Sequence, residues 1–289
     1  MHQVEVALAV KASLGESPRW DEQSQLLYWV DINQKELHRF NPATGQDDVR
    51  SFDQSIGCVS LRRQGGFVLG MRHGIYTLAD WNAELQPLVD PEAGQDDNRF
   101  NDGRCDAMGR YFTGSIYEPK VLTQANIYSI SPEGEAKRWV EGLVTSNGIA
   151  FSPDNTRFYY ADTPSHAIQV CDYDLASGTV SNSSLFHQFP LGNGRPDGAA
   201  VDVEGCYWTA LYEGGRIVRL SPEGEILQEI HLPARCPTMA AFGDADLKTL
   251  YITTASARPE AELADFPLSG ALFKVRVDVP GLVENRFAG

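Results

Sequence analysis

The chain has 289 residues, with 24 Lys or Arg against 39 Asp or Glu and a net charge of −15 at pH 7. That balance excludes a phosphate-backbone partner, which basic patches would have to neutralise, and no apolar run reaches the length of a membrane span. Five cysteines without a Cys-x-x-Cys pair read as reduced structural thiols. With no basic and then apolar leader at the start, the expected compartment is the cytoplasm.

In chain order, the first element is an alternating segment over 4–10, a strand that precedes any repeat. A first unit follows: a strand ending at Trp20-Asp21, an aromatic and β-branched strand over 27–30, a third over 37–40, and a turn over 42–45. The second unit runs through 59–61, 67–69 and 75–76, and the third through Cys105-Asp106, 111–113 and 127–130 with a turn over 132–134. The fourth takes 151–154, 158–160 and 168–170, and adds a fourth strand over 184–189. The fifth takes 201–202, 207–209 and 217–220, a turn over 222–224 and a fourth strand over 228–232. The sixth comprises 241–242, 250–253 and 272–275, with an insertion over 259–267 whose Glu260, Ala261, Leu263 and Ala264 predict a short rim helix.

Six such units, each of four antiparallel strands in roughly 40–50 residues, predict an all-β fold, the six-bladed β-propeller. The segment over 4–10 stands in the phase of a fourth strand. It is expected to complete the last blade and close the ring, which removes exposed sheet edges. No linker-like stretch breaks the repeat, so residues 1–289 are expected to be a single domain. No surface pattern dictates assembly, and the expectation is a monomer or a weak homo-oligomer.

In a propeller the first strand of each blade lines the central channel, so the residues just before it become neighbours at one mouth. That position holds Glu16, the Ile56-Gly57-Cys58 stretch, Asn101, Asn147, Asp197 and the Pro237-Thr238 stretch. Two carboxylates and two amides converge on this reading, with no Lys nearby. Glu16, Asn147 and Asp197 offer oxygen ligands suited to Ca²⁺, Mg²⁺, Mn²⁺ or a similar divalent ion, which would also relieve the repulsion between the acids. Singly, Asn147-Gly148 and Asp197-Gly198 are ordinary turn formers and Glu16 beside Pro18 a solvated loop acid; their shared phase is what argues for a site. Asp31, Asp106, Asp154, Asp162 and Asp202 recur at blade turns and read as caps on backbone amides. There is no Gly-x-Ser-x-Gly elbow, Gly-rich phosphate loop or His-Glu-x-x-His helix, and His73 and His166 read as solvated loop residues.

The segments Leu14-Gly15-Glu16-Ser17-Pro18-Arg19-Trp20, Asn98-Arg99-Phe100-Asn101-Asp102-Gly103, Ser146-Asn147-Gly148 and Pro196-Asp197-Gly198 resemble the signatures of the SMP-30/gluconolactonase/LRE family. The resemblance runs nearly end to end and implies a six-bladed propeller. It implies that Glu16, Asn147 and Asp197 bind one divalent metal ion, with Ca²⁺, Mg²⁺, Mn²⁺, Zn²⁺ and Fe²⁺ all open, and that Arg99 and Asn101 contact the substrate. A further family acid that touches the sugar falls at Pro119 by strict counting, with Glu118 beside it as the candidate. Ser17, Ser115-Ile116 and Asp244 depart from the family pattern without removing a metal ligand.

The activity implied is hydrolysis of a sugar-derived aldonolactone, of gluconolactone, xylonolactone, arabinolactone or galactonolactone type. A metal at Glu16, Asn147 and Asp197 would serve as Lewis acid and Asp197 would carry the proton. Arg99 and Asn101 would bind hydroxyls or the oxyanion, and Asp102 would either brace one of them or serve as a turn residue. Tyr117, Glu118, Tyr212 and the 259–267 insertion are candidate specificity elements at the rim. A phosphotriesterase-like hydrolase and a non-catalytic calcium-binding propeller remain as alternatives, since fold alone does not choose.

Overall fold

The computed structural model describes residues 3–289. Its strands form six four-stranded antiparallel sheets. Blade one holds β2 (Gly15–Asp21), β3 (Leu26–Asp31), β4 (Glu36–Asn41) and β5 (Gln46–Ser51); blade two holds β6 (Ile56–Leu61), β7 (Phe67–Met71), β8 (Gly74–Leu78) and β9 (Gln86–Val89). Blade three is β10 (Asn98–Cys105), β11 (Tyr111–Tyr117), β12 (Ala125–Ile130) and β13 (Ala136–Leu143). Blade four is β14 (Ser146–Phe151), β15 (Arg157–Asp162), β16 (Ala167–Asp174) and β17 (Thr179–Gln188). Blade five is β18 (Arg195–Val201), β19 (Tyr207–Tyr212), β20 (Arg216–Leu220) and β21 (Ile226–His231). Blade six takes β22 (Pro237–Gly243), β23 (Thr249–Thr254) and β24 (Leu272–Arg276), and its outer strand is β1 (Val4–Leu8), which pairs Val4 with Val275 and Val6 with Phe273. The N-terminal strand therefore closes the ring, as its phase predicts.

The first strand of each blade is innermost, and its polar side chains are buried along with its apolar ones. β2, β6, β14 and β22 are buried at every residue, whereas the outer β5, β13 and β17 are largely exposed. Each inner strand touches the inner strand of the next blade, and β22 touches β2. Between blades the faces interlock through aromatic clusters such as Phe112, Phe151, Phe158 and Tyr173, whose ring centroids lie 4.9–5.7 Å apart. The insertion in blade six forms a short helix, α1 (Glu260–Asp265).

The turn aspartates act as the sequence suggests. Asp31 accepts from the backbone N–H of Ser13 and Leu14, and Asp162 from Val144 and Thr145, pinning the loops that feed β2 and β14. At the far end of the channel, residues 281–289 cross beneath the blades. Arg286 pairs with Asp21 at 2.5 Å, Glu284 with Arg104 at 2.8 Å, and Phe287 donates its N–H to Leu61. Nothing in the repeat signals this plug, which leaves the other mouth to carry the site. Among the described residues, no helix is long and apolar enough to cross a membrane.

Candidate functional site

All six inner strands carry a bulge at the same phase. The register against the second strand shifts between Glu16 and Arg19, Ile56 and Cys58, Phe100 and Asp102, Asn147 and Ala150, Pro196 and Ala199, and Pro237 and Met239. A bulge re-aims side chains that a regular strand would point into the sheet, and here it does so six times around one axis. Two bulges need left-handed backbone, supplied by Gly148 at φ +64° and by Ser17 at φ +49°. Ser17 compensates by hydrogen bonding: its hydroxyl accepts the Val59 N–H at 3.0 Å in the next blade.

Glu16, Asn101, Asn147 and Asp197 are buried and line one cavity of about 220 Å³. The amides are fixed by a chain of hydrogen bonds. Arg99 Nη1 donates to Asn101 Oδ1 at 2.8 Å, and Asn101 Nδ2 donates to Asn147 Oδ1 at 2.9 Å. Asn147 Nδ2 donates to Thr163 Oγ1, whose own proton goes to the Pro196 carbonyl, both at 2.8 Å. Because Thr163 spends its hydrogen on Pro196, Asn147 must present its NH₂ to Thr163, which leaves its oxygen to accept from Asn101 with a second lone pair to spare. Thr163 was not singled out from the sequence; it lies on the short 3₁₀ turn (Thr163–Ser165) after β15.

The two acids have no such support. Glu16 Oε2 accepts the Ser17 N–H at 2.8 Å, Asp197 has no side-chain partner, and neither carboxylate forms an ion pair among the described residues. Burial, then the charges of Asp197 and Asp102, hold Glu16 well above the ordinary carboxylate range. Burial, then Asp102, pushes Asp197 up to about 8. Two buried carboxylates without an ion-pair partner, beside an amide oxygen, form a site of hard oxygen donors whose charge Arg195 and Lys120 offset only in part. That donor set fits a divalent cation of the Ca²⁺ or Mg²⁺ kind, held by Glu16, Asn147 and Asp197.

Asp102 braces neither Arg99 nor Asn101. Its Oδ1 accepts the Gly103 N–H at 2.7 Å and its Oδ2 the Ile149 N–H at 2.9 Å, so it ties the blade-three bulge to the blade-four bulge. Glu118 stands outside the cavity lining. It bridges Arg72 at 2.6 Å and Arg99 Nε at 3.2 Å, and although burial would raise its pKa, these arginines outweigh that and hold it below the usual range. Arg99 thereby has Nε and Nη1 engaged and Nη2 without a protein partner. Tyr212 lines the cavity; Tyr117, His73 and His166 do not, and His166 is not solvated as expected but buried, with Nδ1 3.1 Å from the Gly194 carbonyl.

The expectation of no nearby Lys is corrected. Lys120, in a left-handed turn at φ +57° after β11, lines the cavity together with Arg195 and Arg258. Desolvation first, then Arg195 and Arg99, keep its pKa below the ordinary ammonium value. No spacing rule brings Lys120, Arg195 and Arg258 together, because they come from loops and strand ends of three blades.

A six-bladed ring is the architecture the sequence motifs imply, and comparison with known proteins agrees on family and fold. The chain belongs to the SMP-30/gluconolactonase/LRE-like family, whose model matches residues 14–256. It is 44% identical over 279 residues to a 6-deoxy-6-sulfogluconolactonase of Pseudomonas putida, covering 96% of this chain and 95% of that protein. It is 35% identical over 287 residues to regucalcin of Gallus gallus, covering 96% and 95%. The solved structure of a calcium-binding regucalcin from Agrobacterium tumefaciens superposes with a TM-score of 0.96 at 23% identity, covering 100% of this chain and 98% of that one, a likeness of fold.

Proposed function

We propose that this chain hydrolyses a sugar-derived aldonolactone to the aldonic acid, using one divalent metal ion held by Glu16, Asn147 and Asp197. The observation that carries the reading is the pairing of two buried carboxylates that form no ion pair with a fixed donor array, Arg99 and Asn101, in one cavity. The lactonase name of the Pseudomonas putida relative supports the reaction class. A bound divalent ion would supply Lewis acidity to the lactone carbonyl and acidify attacking water.

The chain's own groups supply the rest. Asp197 accepts a proton as water adds to the carbonyl carbon, and returns it to the ring oxygen as the C–O bond breaks, so the ring opens with no net proton on the enzyme. Arg99 Nη2, held in place by Glu118, Phe100 and Asn101, donates to a substrate hydroxyl or to the developing oxyanion. A pure ion buffer has no need of that oriented donor, which disfavours the non-catalytic alternative. The five cysteines are buried free thiols, which suits a reducing compartment.

The test is proton release from a panel of aldonolactones by metal-stripped protein, with Ca²⁺, Mg²⁺, Mn²⁺, Zn²⁺ and Fe²⁺ restored one at a time. Metal-dependent acceleration is expected. Failure of every ion and lactone pair would reject the proposal.

A further inference from the structure

Outward of the metal donors, the cavity is lined by cations. Arg195 opens β18 two residues before Asp197, Tyr212 ends β19, Lys120 follows β11, and Arg258 precedes α1. In a chain of net charge −15 this convergence runs against composition. It is also built. Arg195 and Arg258 both pair with Glu213, at 2.8 and 2.7 Å, and both stack on the Tyr212 ring, at 5.4 and 5.6 Å. Glu262 on α1 grips Arg258 at 2.7 and 3.0 Å and also pairs with Arg235 at 3.2 Å. Lys120 and Glu213 both occupy left-handed backbone, at φ +57° and +63°.

These partners orient the cations without exhausting them. Arg195 Nε is buried and has no hydrogen-bond partner, and the Lys120 ammonium forms no hydrogen bond or ion pair among the described residues. Three arginines, Arg195, Arg235 and Arg258, share two carboxylates, Glu213 and Glu262, and the Lys120 ammonium has no ion pair, so cationic donors at the rim outnumber the carboxylates that pair with them. Sugar hydroxyls need acceptors as well as donors. A rim that offers spare cationic donors matches a group with several anionic oxygens, which would also satisfy the buried Nε.

We infer that Lys120, Arg195 and Arg258 form an anion subsite, and that the lactone taken by this site carries a sulfonate or a phosphate monoester on the end away from its carbonyl. The inference rests on the lactonase reading for its substrate class. It assigns the rim cations to substrate selection and leaves Glu16, Asn147, Asp197 and Arg99 to the ring-opening end.

The test compares glucono-1,5-lactone with its 6-sulfonate and 6-phosphate analogues in kcat/KM, and the three ring-opened acids in calorimetric binding. At least a tenfold preference for one charged lactone is expected, and the faster of the two identifies the anion. Lys120→Gln, an exposed turn substitution, and Arg258→Gln should each reduce that preference about tenfold, and raising salt should reduce it too. Thermal melts establish that both variants fold. A preference for the neutral lactone, or equal loss on charged and neutral substrates in both variants, overturns the subsite. If no lactone is hydrolysed with any ion, the lactonase proposal falls, and the binding comparison still decides the subsite: charged acids binding no tighter than the neutral one would reject it.

Discussion

Removing the metal exposes the cost of the two buried acids, and the cost has a sign that can be measured. Burial and Asp102 raise Asp197 from the ordinary 3.8 to about 8. An acid whose folded pKa exceeds its unfolded pKa favours the native state fully below the unfolded value, and that contribution is lost as pH rises through the folded one. Between pH 5 and pH 8 the unfolded chain is already ionised here while the native carboxyl still holds its proton, so roughly three pH units at ~1.36 kcal/mol each amount to about 4 kcal/mol. For a chain of 289 residues the unfolding entropy is about 0.6 kcal/mol/K, which converts this to a fall in Tm of ~7 °C. Glu16 shifts in the same direction and adds to it. Circular-dichroism melts of chelator-treated wild type and Asp197→Asn should therefore diverge: the wild-type Tm falls from pH 5 to pH 8 and the variant's falls less by several degrees. Saturating Ca²⁺ at pH 8 should restore wild type and leave the variant nearly unmoved. Identical pH profiles for the two chelated proteins would refute the placement of a buried carboxylate without an ion-pair partner at Asp197.

The same geometry sets three other expectations. Asp197→Asn should lower kcat for lactone hydrolysis by about 10²–10⁴ under saturating metal, read by proton release, since it removes the proton carrier. Arg99→Lys should cut kcat/KM by roughly tenfold or more, because an ammonium cannot make the Nε contact to Glu118 and the Nη1 contacts to Phe100 and Asn101 together; a change within twofold would speak against a substrate role. Gly148→Ala should destabilise by ~2 kcal/mol or more, since φ is +64° and the added carbon would collide with the Tyr207 hydroxyl that donates to the Gly148 carbonyl at 2.7 Å. Calorimetry should show the loss, and metal affinity should weaken as Asn147 moves.

The propeller was legible because its signal is periodic. Strands such as 27–30, 158–160 and 207–209 declare themselves by composition, and six repetitions turn weak signals into one architecture. The cluster of Glu16, Asn101, Asn147 and Asp197 was legible for the same reason, since equivalence of position in a ring implies nearness. What lacked a period stayed hidden. The tail over 281–289 crosses one end of the ring through ion pairs and isolated bridges to several blades, and Thr163 joins the amide chain from the single 3₁₀ turn among the described residues. Of the two readings of Asp102, the brace fails and the backbone-binding role holds, because the bulge at Asn101 directs Asp102 toward the neighbouring blade and the Ile149 N–H.

The rim cations show where that logic stops and a different one begins. Inner strands are held on both faces by neighbouring blades, so a residue placed on them is fixed within the ring, and the groups assigned to ring opening sit there. Lys120, Arg195 and Arg258 sit instead at strand ends and loops, and the two arginines are positioned through Glu213 and Tyr212. Substitution there changes which tail of a substrate is welcome without disturbing the bulges that aim Glu16, Asn147 and Asp197. A propeller can in this way keep one reactive end and change its substrate, and the surplus of cationic donors at this rim is the feature that should separate this chain from relatives acting on neutral lactones.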